Sequence, residues 1–161
     1  MLLFTGQAEI AIDDKQRLSI PAKFRSQLPV AEAGMSWFSV PWPTNSIIRL
    51  YPEDEFRRLT ARFGGSIAPT EDEAELETTL LSVSEQVSMD KNYRVRLPAW
   101  QLEELGLSGD VMVLGVRNRL EVWSRDVWNQ SRRERFGRLQ QLVERIDARQ
   151  RGGAPNATTG S

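Results

Sequence analysis

The sequence contains no cysteine and no histidine. Without cysteine there is no disulfide framework, no thiolate metal site and no thiol nucleophile; without histidine the commonest general base and zinc ligand is missing too. Most hydrolase and metalloenzyme mechanisms are closed on that ground. No nucleophile–base arrangement and no phosphate-cradling glycine loop is evident, so neither an enzyme nor a metal or cofactor is expected. Long apolar runs are absent as well. Stretches such as Val111-Met112-Val113-Leu114 fall far short of the roughly 20 residues that a membrane span requires, so no membrane partner is expected. The start, Met1-Leu2-Leu3-Phe4-Thr5-Gly6, has no basic residue and soon reaches Gln7 and Glu9. A secretion signal is not expected there, and the cytoplasm is the expected compartment.

An excess of one charge sign is also missing. The 21 Lys+Arg stand against 22 Asp+Glu, so total charge does not announce a nucleic-acid partner, and any basic surface must be local. The charge is nevertheless segregated: residues 66–90 carry seven acids and no base, while residues 125–161 carry eight arginines against four acids. The acids Glu71, Asp72, Glu73, Glu75 and Glu77 lack the alternating spacing and central glycine of a calcium loop and read as a solvated helix face.

What the chain does contain is an internal repeat. Asp13-Asp14-Lys15-Gln16-Arg17-Leu18-Ser19-Ile20-Pro21-Ala22 aligns with Asp90-Lys91-Asn92-Tyr93-Arg94-Val95-Arg96-Leu97-Pro98-Ala99, with Asp, Arg, Pro and Ala at matching positions. Further on, the segment from Ile48 to Phe56 answers the segment from Leu120 to Trp128 at an offset of 72 instead of 77, a length difference that one loop absorbs. Two matches in one order make a duplicated supersecondary unit the reading, because such repeats bury a shared core.

Each copy reads strand, turn, strand, short helix, strand, turn, strand, helix. Gln7 to Ile12 and Glu85 to Met89 alternate polar and apolar residues, and the D-x-x-x-R segments turn the chain into the next alternating run. Pro21 and Pro98 stand where helices begin, predicting helices over Ala22 to Leu28 and Ala99 to Leu105, the latter ended by Gly106. Hairpins follow over Trp37 to Trp42 with Ile47 to Tyr51, and over Val111 to Val116 with Leu120 to Trp123. Helices are predicted over Glu53 to Phe63 and Asp126 to about Gln150, and Thr70 with Glu73 has the spacing of a capping box that opens an acidic helix to Leu81. The fold class expected is α+β, mainly β. The halves are 1–65 and 83–128, joined by an acidic connecting helix over 66–82 and followed by a C-terminal helix over 129–150. The small, polar, Gly/Pro-rich segment 151–161 is expected to be disordered.

The strings from Asp13 to Arg25 and from Asp90 to Pro98, with Leu50-Tyr51-Pro52 and the run from Val113 to Ser124, resemble the MraZ family in order and spacing. The likeness spans roughly residues 1 to 130. It implies two tandem SpoVT-AbrB-like half-units, each with a D-x-x-x-R motif, in a swapped-hairpin β-barrel. It further implies sequence-specific binding to G-rich direct repeats in double-stranded promoter DNA, control of the division and cell-wall gene cluster, a ring-like homo-oligomer and nucleoid association. The family usually has glycine just before the motif arginine, where this chain has Gln16 and Tyr93. Glycine there permits a positive φ, so a rearranged turn is expected at Tyr93, whose bulk fits a left-handed site poorly.

An arginine fork fits the O6 and N7 acceptors of guanine, which makes Arg17 and Arg94 the expected base readers. Lys15, Lys91, Lys23, Arg25 and Arg96 are the expected phosphate contacts. Asp13 and Asp90 face repulsion from phosphate and are expected to cap the turns instead. Trp100, Trp123 and Trp128 read as core or subunit contacts rather than base-stacking rings. On the terminal helix Phe136, Leu139, Val143 and Ile146 have the spacing of a coiled-coil seam, with packing on the chain's own barrel as the alternative. Arg132, Arg133, Arg135 and Arg138 flank that stripe. An oligomeric interaction protein that kept the fold and lost DNA binding remains the second functional reading.

Overall fold

The computed structural model of the chain describes residues 1–153. Residues 1–126 form one compact unit, and the described residues from Val127 onward form another.

In the first unit, β1 (Gln7–Ala11), β3 (Ser36–Trp42), β4 (Ile47–Pro52), β5 (Glu85–Ser88), β7 (Asp110–Val116) and β8 (Arg119–Ser124) make a six-stranded antiparallel sheet ordered β1-β7-β8-β4-β3-β5. The short strands β2 (Arg17–Ser19) and β6 (Arg94–Arg96) pair separately as a two-stranded ribbon. The first strand of each copy thus pairs with the third strand of the other: β1 lies on β7, and β5 on β3. Equivalent residues of the two copies meet in the middle, Leu18 opposite Val95 in the ribbon and Arg49 opposite Glu121 at the β4–β8 seam. The arrangement therefore has an approximate internal two-fold. Among the described residues the sheet does not close into a barrel; β1 and β5 are its edges.

The alternation seen in the sequence accounts for the layers. Ile48, Leu50, Val111, Val113, Leu120 and Val122 point to one side of the sheet, where they meet Leu18 and Val95 from under the ribbon and Phe24 and Leu102 from α1 (Ala22–Arg25) and α4 (Ala99–Leu105). Phe4 packs edge-on against Phe24 and stacks on Trp37 in that core. Near its β3–β4 end, the other side carries a smaller cluster of Val40, Tyr51 and Phe56, the last from α2 (Glu53–Thr60). A fully buried Gln101 bridges the layers, accepting from the Ser39 hydroxyl at 2.6 Å and donating to the carbonyls of Ser39 and Val83.

Several ends differ from the sequence reading. Helix α1 stops at Arg25 rather than Leu28, where the Ser26 hydroxyl turns back to the Lys23 carbonyl. Helix α2 stops at Thr60, whose hydroxyl takes the Phe56 carbonyl. Both are local side-chain competitions for backbone groups. Helix α3 (Glu71–Val83) starts at the Thr70 cap, with the Thr70 hydroxyl accepting from the Glu73 amide at 3.2 Å. Gly106 ends α4 in the left-handed conformation. The terminal helix is two pieces, α5 (Arg125–Gly137) and α6 (Leu139–Gly152), broken after a glycine, a poor helix former. Helix α6 enters the segment expected to be disordered, and the rest of that segment, 154–161, lies outside the described residues.

Gly115 shows how tightly the amino-terminal segment is laid against β7. A Cβ there would stand 2.7 Å from the Thr5 nitrogen and 2.9 Å from the Phe4 carbonyl carbon, both backbone. Gly115→Val is expected to cost about 1–3 kcal/mol of stability by overpacking, read as a lower urea midpoint with an unchanged slope.

Candidate nucleic-acid interface

The two D-x-x-x-R segments fold into the same turn. Asp13 Oδ1 accepts from the amides of Lys15 at 3.0 Å and Arg17 at 2.8 Å, while Oδ2 accepts from Arg17 Nε at 2.7 Å. Asp90 does the same for Asn92, Arg94 and Arg94 Nε at 2.8, 3.0 and 3.1 Å. The Gln16 amide donates to the Asp13 carbonyl and the Tyr93 amide to the Asp90 carbonyl. Asp at the first position and a left-handed residue at the fourth are what such a bulged turn needs.

Gln16 and Tyr93 hold that left-handed position, with φ of 58° and 61°. The rearrangement expected at Tyr93 does not occur. Each left-handed carbonyl is tied to the other copy: the Ile20 amide donates to Tyr93 and the Leu97 amide to Gln16, both at 2.8 Å. Tyr93 has a further reason to stay, since the Arg25 guanidinium lies 4.1 Å over its ring. A non-glycine residue in this region costs roughly 1–2 kcal/mol, against a smaller unfolded-state penalty for glycine. Gln16→Gly is therefore expected to raise the melting temperature slightly, and Tyr93→Gly to be near neutral because it also removes the ring under Arg25.

The ribbon sets the arginines. Leu18 and Val95 point into the core and are fully buried, so their neighbours Arg17, Ser19, Arg94 and Arg96 share the outer face, Arg17 opposite Arg96 and Ser19 opposite Arg94. Like charges directly across a strand pair are unfavourable, and here two arginines are placed so. The Asp partners engage only the Nε edges of Arg17 and Arg94, whose side chains stay 26% and 27% exposed. Lys15 and Lys91 are exposed at the turn tips.

The remaining two basic candidates belong to α1, not to the ribbon. Arg25 Nε donates to the Ile20 carbonyl and its guanidinium reaches the second turn through Tyr93. Lys23 Nζ donates to the Gln7 carbonyl. Sequence reasoning missed Tyr93 as the platform for Arg25, although the 77-residue offset sets Arg25 against Leu102 and Tyr93 against Gln16. The two ends of the ribbon consequently differ. Beside the first turn, in place of a stacked pair, is an open cavity of about 430 Å³ lined by Asp13, Asp14, Gln16, Leu102, Glu103 and Leu107.

The amide of Arg17 holds the Asp13 carboxyl below the ordinary aspartate value of 3.8, and the amide of Arg94 does the same for Asp90. A lowered folded-state value stabilises the turn above the ordinary value, and that contribution is lost as the pH falls through the lowered one. The amide resonances of Arg17 and Arg94 are expected to hold still from pH 7 to about 5 and to move only below 3.8.

Trp123 is buried with Nε1 on Glu121, whereas Trp100 is 43% exposed with Nε1 on Glu85 at 2.6 Å. No group of three Asp or Glu among the described residues is placed to hold a metal, and no described helix is long and apolar enough to cross a membrane.

The MraZ protein family matches residues 80–149, which include the second Asp–Arg turn. The transcriptional regulator MraZ of Cytophaga hutchinsonii is 27% identical over 145 residues, 90% of this chain and 95% of that protein. The transcriptional regulator MraZ of Idiomarina loihiensis is 30% identical over 128 residues, 80% of this chain and 84% of that protein. The chain belongs to the MraZ family. A third MraZ, from Mycoplasma capricolum, is 29% identical over 129 residues and is covered to 93%. These alignments reach well beyond the second copy, so the MraZ likeness takes in both halves and not the second turn alone.

Proposed function

We propose that this MraZ-family chain is a transcriptional regulator that binds promoter DNA sequence-specifically through the outer face of the β2–β6 ribbon. The observation that carries the reading is the pair of Asp-braced arginines, Arg17 and Arg94, on one exposed face. Each keeps its terminal guanidinium nitrogens for the O6 and N7 of a guanine, while Asp fixes the Nε edge and so the pose. Lys15, Lys91 and Arg96 lie beside them for phosphates, with Lys23 and Arg25 flanking from α1. The names of the relatives support the regulatory role. The exchange of strands between the copies supports the swapped-hairpin architecture, and the resemblance supports G-rich direct repeats upstream of division and cell-wall genes, in the nucleoid.

One protomer offers few phosphate contacts. The regulator acts as a ring-like homo-oligomer, which repeats the ribbon along the DNA and raises effective concentration. The reading in which DNA binding has been lost rests on the missing glycines, and a turn that keeps its left-handed residue without them removes that ground.

A gel shift on the chain's own upstream promoter, titrated with salt, tests this. Affinity is expected to fall linearly on a log–log plot, by about 0.9 per phosphate neutralised. A scrambled fragment bound as tightly at physiological salt contradicts sequence-specific recognition.

A further inference from the structure

The exposed large apolar side chains of the described residues include two groups whose surroundings carry opposite charge. One is a stripe along the end of α5 and along α6: Phe136, Leu139, Val143 and Ile146, each between 46% and 76% exposed. The other borders a cavity of about 500 Å³ lined almost wholly by carbon, between the Pro41-Trp42-Pro43 corner after β3, the face of α3 bearing Leu76 and Leu80, and Trp100 with Leu105 on α4. Leu76 and Trp100 are themselves 45% and 43% exposed.

The charges around them are complementary. Asp72 and Glu73 lie one helical turn before Leu76 on the same face of α3, and Glu104 lines the cavity. Helix α3 has five acids and no base. Arg132 precedes Phe136 by one turn and Arg149 follows Ile146 by one, and residues 127–153 hold seven arginines against three acids. On α6 itself Leu139, Val143 and Ile146 recur at intervals of four and three, the anchor pattern of a helix seated in a groove, and Phe136 continues the stripe from the end of α5.

We propose that the α3–α4 groove of one protomer receives the α5–α6 stripe of a second copy of this chain. The contact is heterologous, because each protomer gives a helix with one surface and receives one with another; repeated, it closes a ring when the rotation allows. It rests on the self-association proposed above and adds the surfaces that carry it.

The test is sedimentation velocity of the full chain at micromolar concentration, with Val143→Glu in the stripe and Leu76→Lys in the groove. Both positions are exposed, and circular dichroism checks that both variants stay folded. Each variant is expected to weaken assembly by about tenfold or more, and added salt to weaken the wild type. Mixed, the two variants regain a complex of two chains, since the intact stripe of Leu76→Lys fits the intact groove of Val143→Glu. Either variant assembling like the wild type, or a mixture that forms no complex, overturns the groove assignment while leaving self-association standing. A wild-type chain that sediments alone overturns both.

Discussion

Arg17→Ala combined with Arg94→Ala is expected to abolish specific promoter binding and to leave the melting temperature of the chain nearly unchanged. The two effects separate because of where the side chains stand. Both arginines are on the outer face of the ribbon, partly exposed, with one charge-assisted contact each to the aspartate of their own turn. Exposed pairs of that kind add little to stability. Each turn also keeps the hydrogen bonds from Asp to backbone amides, which do not involve the arginine side chain. A bidentate arginine–guanine pair is worth about 1–3 kcal/mol of discrimination, so removing two is expected to lower operator affinity by roughly 30-fold to 2 × 10⁴-fold while nonspecific binding falls far less. Gel shifts with operator and scrambled DNA, beside a thermal melt, decide it. Undiminished operator binding would take base reading away from these residues.

The second large effect lies one residue along, on the opposite side of the same strand. Leu18 is fully buried, faces Val95 across the ribbon, and belongs to the core formed with Phe24, Ile20 and the sheet residues Leu50 and Val113. Leu18→Ala removes the apolar contact and leaves a cavity that the two-stranded ribbon cannot easily collapse around, at a cost of about 2–5 kcal/mol. For a domain of ordinary stability that is a large share of the total, and a drop in melting temperature of order 10 °C is expected. Adding Val95→Ala is expected to give a non-additive double-mutant cycle, because the two side chains share one space. Urea denaturation of the four proteins reads both numbers. A Leu18→Ala variant as stable as the wild type contradicts the packing of the ribbon on the sheet.

Adjacent residues with opposite roles are what period-two alternation encodes, and this is why so much of the site is legible in the sequence. Asp at the first position of a turn and Arg at the fifth act through bonds no longer than four residues, so the two turns and their equivalence follow from local sequence. Helix α4 and its Gly106 cap are legible for the same reason. The pairing of β1 with β7 and of β5 with β3 is not, since nothing in either strand says which copy supplies its neighbour. The left-handed Tyr93 departs from expectation because its local cost is visible in the sequence while its compensation is not. The bond from Ile20 and the Arg25 guanidinium over the ring both come from the other half. Arg25 shows the same limit: its spacing marks it as a cation near the motif, and only the fold shows it holding the second turn.

Guanine reading by Arg17 and Arg94 is tested most directly by measuring the coupling between those side chains and the guanine N7. Promoter fragments carrying 7-deazaguanine in the repeats lose that acceptor and keep the rest of the base. The substitution is expected to weaken binding by the wild type at least about tenfold, a loss of 1.4 kcal/mol or more, and to have little further effect on the Arg17→Ala, Arg94→Ala protein. An equal loss for both proteins, or none for the wild type, contradicts base reading by these two arginines.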